Sequence, residues 1–178
     1  AGFADISFAV AYDTSDTFIR LDTTISASTD ITDGTFGFFF DPDWFVNSCG
    51  SYNTANTVVS KSQVTAVGCD GTAISLLTAS PVTHGVNTGT WSSDPDYYLN
   101  GVVGTATSGD DAVGIGFAFD LLAGESVDIT FYTGFAPTAD DLVTIDDITS
   151  VSEPSHWALM LAGLFGVGFS ARRRNIDK

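Results

Sequence analysis

The sequence predicts an all-β fold: an antiparallel β-sandwich, jelly-roll-like or immunoglobulin-like, followed by one C-terminal hydrophobic helix. Three observations carry this expectation. Apolar residues recur at every second position in run after run, the period of a strand with one buried face. Turn signals built on Gly, Asp and Asn separate the runs. An uncharged stretch, Trp157–Ala171, then closes on Arg172, Arg173 and Arg174.

Taken in order, the first run sets Ile6, Phe8, Val10 and Tyr12 on one face and Ser7, Ala9 and Ala11 on the other. Ile19, Leu21, Thr23 and Ile25 repeat the pattern, as do Phe36, Phe38 and Phe40. Val113, Ile115, Phe117 and Phe119 follow suit. In Ser126–Tyr132, Val127, Ile129 and Phe131 point inward while Ser126, Asp128 and Thr130 point outward. Weaker strand patterns cover Thr57–Val67, Ala73–Thr78 and Tyr97–Thr105, and a last strand is expected around Leu142–Ile148. Asp33-Gly34, Asp70-Gly71, Asn100-Gly101, Ser108–Asp111 and Ala123–Glu125 supply the turns. The count is about eight to ten strands, with no helix before residue 155. A closed barrel is the alternative closure. The domains run 1–150, an acidic β-sandwich, and 151–178, a tail of linker, hydrophobic helix and basic end.

With 178 residues, 44% of them hydrophobic and 16% charged, the chain is long and apolar enough for one core. Its charge is lopsided. The formal net is −16, and residues 1–152 hold only Arg20 and Lys61 against 20 acidic residues. Such a body repels nucleic acid and anionic headgroups. It favours solubility, or a divalent cation. Calcium takes six to eight oxygens, and Asp41/Asp43, Asp94/Asp96 and Asp110/Asp111 are the candidate loop pairs. None forms an EF-hand, and calcium is the one cofactor candidate.

Catalysis finds little support. His84 is the only histidine before the tail and reads as a loop or surface residue; Ser80 and Asp94 lie near it without a nucleophile-elbow pattern. Glu125 is the only glutamate before Glu153, and no phosphate-binding glycine loop occurs. The expectation is a protein that is not an enzyme. Trp44, Trp91, Tyr97 and Tyr98 offer rings for stacking on sugars, which would make an exopolysaccharide a candidate partner. Cys49 and Cys69 are the only cysteines. Paired in an oxidising compartment, they would add about 3 kcal/mol. The start, Ala1-Gly2-Phe3, has the form a signal peptidase leaves.

The tail is the most specific feature. As a helix, Trp157–Ala171 spans about 22 Å, short of the ~20 apolar residues of a full bilayer span. Trp157 and Arg172–Arg174 would sit at its two interfaces, with the basic end cytoplasmic. Pro154 suits a first turn and Ser155 a cap. Leu159, Leu161 and Leu164 are its apolar bulk. Gly163, Gly166 and Gly168 give it a small-residue face for close packing on another helix.

Glu153-Pro154-Ser155, the apolar run from Trp157 and the Arg172–Arg174 end together resemble the PEP-CTERM sorting tail. Ser152 stands where that family's motif has its first proline. The resemblance implies export in a Gram-negative bacterium that makes biofilm or exopolysaccharide. It also implies recognition by an exosortase, a membrane cysteine transpeptidase-like enzyme. Family bodies are diverse, so the tail gives an address rather than an activity. The expected role is structural or adhesive, at the cell surface or in the extracellular matrix. The alternatives are a self-assembling filament subunit, with the C-terminal helix in the assembly core, and a carbohydrate-binding module. The membrane or self-association would hold the helix.

Overall fold

The computed structural model describes residues 2–12, 17–42 and 52–150. Among these, ten strands form two antiparallel sheets. They are β1 (Ala4–Ala11), β2 (Phe18–Ala27), β3 (Ile31–Phe40), β4 (Thr54–Ser60), β5 (Gln63–Val67), β6 (Ala73–Leu77), β7 (Thr83–Gly89), β8 (Ala106–Gly109), β9 (Ala112–Leu121) and β10 (Ser126–Ala136). The larger sheet runs β1-β2-β10-β6-β5-β4-β8, and the smaller β3-β9-β7.

One core joins the sheets. Ile25, Val58, Val64, Ile74, Leu76, Ile129 and Phe131 of the larger sheet meet Val86, Val113, Ile115 and Phe117 of the smaller. Phe38 of β3 lies 5.0 Å from Phe131 of β10, ring to ring. The inward face expected for β10 is the observed one, because period-two alternation leaves a strand only one way to bury its apolar set. At one end the layers are tied by their connections. Ala27 N–H donates to Glu125 O at 2.8 Å, Gly124 N–H donates to Ala27 O, and the Asp30 carboxylate accepts from Ala123 N–H. Gly124 takes φ +88°, which a side chain disfavours.

Several expectations are corrected. Thr57–Val67 is not one strand but the hairpin of β4 and β5, turning at Lys61-Ser62. Asp33-Gly34 is an irregularity inside β3, where the register shifts, with Asp33 at φ 53°. Tyr97–Thr105 does not open as a strand: Pro95–Leu99 is a helix, α1. Proline occupies its first turn, and the Asp94 carboxylate accepts the Asp96 N–H at 3.1 Å. Leu142–Ile148 is likewise no strand, since Ile145–Ser150 is a second helix, α2. Thr144 and Asp147 cap it reciprocally: Asp147 accepts from Thr144 N–H at 2.7 Å and Asp147 N–H donates to Thr144 Oγ1. The Thr144 N–H and, next, the Thr144 hydroxyl, both donating to it, hold the Asp147 carboxyl below the usual range.

α1 covers the outer face of the smaller sheet, and glycines let it approach. A Cβ on Gly114 would lie 2.2 Å from the Tyr98 ring, and one on Gly85 2.3 Å from Leu99 O. Burial of the Tyr98 phenol raises its pKa above 10.0, although its hydroxyl donates to Ser92 O at 3.0 Å.

Candidate functional site

The β1 edge is the least finished part of the structure. Among the described residues β1 pairs only with β2, and its register places Ile6 opposite Ile25, Phe8 opposite Thr23 and Val10 opposite Leu21. The sequence sets Ile6, Phe8, Val10 and Tyr12 on one face, and that face points between the layers: Phe8 lies 6.1 Å from Phe36 of β3. The smaller sheet stops at β3, however, and covers little of it. Exposures are 52% for Ile6, 61% for Phe8, 63% for Val10 and 73% for Tyr12. Phe3 is exposed as well.

Beside this strand the gap between the layers stays open as a recess of about 440 Å³. Among the described residues, Val10, Ile19, Leu21, Phe38, Phe40 and Phe135 give it an apolar wall. Asp41 is the carboxylate at its margin. The arrangement suits apolar contact rather than proton transfer. Its strands were legible in the sequence; the missing cover over β1 was not, because alternation reports a face without reporting what lies opposite.

The other predicted site residues fall elsewhere. Asp94 caps α1, and Asp96 lies in its first turn with its carbonyl bonded to Asn100. Asp110 and Asp111 form the β8–β9 turn, where Asp111 O accepts from Asn56 Nδ2. Asp43 lies outside the described residues, and among those described no three His, Cys, Asp or Glu side chains converge on a metal position. Of the sugar-stacking candidates, Tyr98 is buried against Phe39, whose ring is stacked on it at 5.6 Å. Trp91 packs edge-on to Phe39 and remains 57% exposed. Trp44 and Cys49 lie outside the described residues. So do Glu153, Pro154, Ser155, the helix from Trp157 through Leu159, Leu161, Gly163, Leu164, Gly166 and Gly168, and Arg172, Arg173 and Arg174. Among the described residues no helix is long and apolar enough to cross a membrane.

His84, expected in a loop or at the surface, is on β7, half-buried and hydrogen-bonded. Its Nδ1 donates to Val82 O at 2.7 Å, which leaves Nε2 to accept from the Ser62 hydroxyl at 2.8 Å. This is the geometry of a base on a nucleophile. The Ser62 N–H, a natural oxyanion donor, is instead given to Ser60 Oγ at 3.1 Å. The pair therefore reads as a clasp between the β4–β5 turn and β7. Sequence spacing gave no hint of it, since its members are 22 residues apart.

No protein-family model and no curated protein matches this chain. Solved structures give distant likenesses. The heparan sulfate lyase HepC from Pedobacter heparinus aligns over 74% of this chain and 18% of its own, at 9% identity and TM-score 0.45. A family GH92 alpha-mannosidase from Bacteroides thetaiotaomicron aligns over 74% of this chain and 17% of its own, at 12% identity and TM-score 0.41. The chain thus spans less than a fifth of either. At this level of likeness neither lends it a substrate or an activity.

Proposed function

We propose that this is an exported, non-enzymatic structural or adhesive protein of a Gram-negative cell surface or extracellular matrix. Its body is a β-sandwich of jelly-roll or immunoglobulin type, with Cys49 and Cys69 joined as a disulfide. Its tail is PEP-CTERM-like and addressed to an exosortase. The observation that supports this best is the bare apolar face of β1, a surface suited to contact with another molecule. The same observation favours a second reading, a self-assembling extracellular filament subunit.

The test is cell fractionation with intact-mass measurement of the protein recovered. Surface or medium protein that has lost the chain beyond about residue 153, and weighs two hydrogens less than its reduced form, supports the reading. Full-length, reduced protein confined to the cytoplasm overturns it.

A further inference from the structure

We propose that the bare face of β1 is an interface between two copies of this chain. The inference deepens the structural reading above by naming the partner. Area argues first. Ile6, Phe8, Val10 and Tyr12 together expose on the order of 500 Å². A specific interface buries about 800 Å² per partner. The recess beside β1 and the unpaired edge of the strand supply the remainder.

Charge argues next. From Phe3 to Tyr12 the only side chain charged at neutral pH is Asp5, which alternation places on the opposite face with Ser7, Ala9 and Ala11. Elsewhere the body is densely acidic. On this face and in the recess beside it, Asp41 at the recess margin is the one carboxylate among the described lining residues, so two copies approach here with little charge set against charge. No lysine or proline guards the edge, as natural edge strands usually require.

Shape then fixes the arrangement. The larger sheet extends past the smaller by β1, which leaves a step beside β3. A second copy, turned about a two-fold axis that lies between the layers and runs along the strands, places its own step in that space. Each β1 then lies opposite the other and beside the other copy's β3. Such a contact is isologous, so Phe8 faces Phe8 of the second copy across the usual sheet spacing of about 10 Å. Both free edges and both apolar faces are covered at once.

The test uses the full chain in a mild non-ionic detergent, so that association through the tail is visible as a separate outcome. Light scattering and sedimentation over a range of concentrations should give a dimer for the unmodified chain. Phe8→Lys with Val10→Lys should raise the dissociation constant about 100-fold or more. Leu122→Lys, at an exposed apolar residue of the β9–β10 turn, should leave it unchanged. In a Phe8→Cys chain, a bismaleimide of about 10 Å span should link two copies, and this result decides if the lysine pair fails to fold. A chain that is monomeric throughout overturns the interface. So does a lysine pair that is folded and associates as the unmodified chain does, since the tail then holds the copies. Neither result moves the cellular location. A monomer at the cell surface removes this interface alone, whereas cytoplasmic full-length protein removes the reading beneath it.

Discussion

Single residues decide how closely α1 sits on the smaller sheet. Gly114 lies under the Tyr98 ring, Gly85 under Leu99, and a Cβ on Gly101 would fall 1.8 Å from Val86 O. No side chain fits these positions without moving backbone or ring. Gly114→Ala is therefore expected to cost about 1–3 kcal/mol, as overpacking does. Urea denaturation would measure it, and an unchanged midpoint would mean that α1 can lift away freely. In the sequence Gly114 falls inside the strand alternation of Val113–Phe119 and Gly101 in the Asn100-Gly101 turn signal, and nothing there says that a helix will press on them. Asp94 was legible only as a loop carboxylate and a metal candidate. Its oxygen is in fact directed at the Asp96 N–H, a local use that its spacing from Pro95 could have signalled.

At the scale of elements, legibility follows length and burial. Ser126–Ala136 is long, and it buries Ile129 and Phe131 on one face, so its alternation identifies it and its inward side. α1 is five residues long, too short for a helical period to register. Its sequence signs are the Asp94 cap and Pro95 alone. α2 carries a capping pattern, Thr144 followed three residues later by Asp147, which competes with the apolar alternation of Leu142–Ile148. Asp94→Ala removes the cap of α1 and is expected to cost about 1 kcal/mol. Thermal melting would register this, and a melt unchanged by the substitution would assign the helix to packing alone. β1 is the instructive element. Its apolar face was readable, while its pairing with β2 was not, and its exposure depends on where β3 stops, a property of the other sheet.

For the whole molecule, charge is the dominant global property. A net charge of −16 with few internal cations means that the folded state works against its own repulsion. Arg20 meets Asp22 at 3.0 Å, with both side chains more than a third exposed, and offsets little of it. Raising sodium chloride from about 10 mM to about 0.3 M should therefore lift the melting midpoint by about 3 °C, through screening. A midpoint that falls or stays fixed would show that repulsion is not limiting.

The pairing of β2 with β10 carries a consequence for how the chain is made. Thr24 donates to Asp128 across 104 residues of sequence, and β1 joins the sheet only through β2. Among the described strands, synthesis delivers β1 and β2 before the others and β10 after them. For most of that interval the first hairpin has no sheet to dock on, and closing so long a loop is slow. Its apolar side chains are then a handhold for any chaperone that grips extended apolar segments, so the strand left bare in the finished fold is also the one that needs escort earliest.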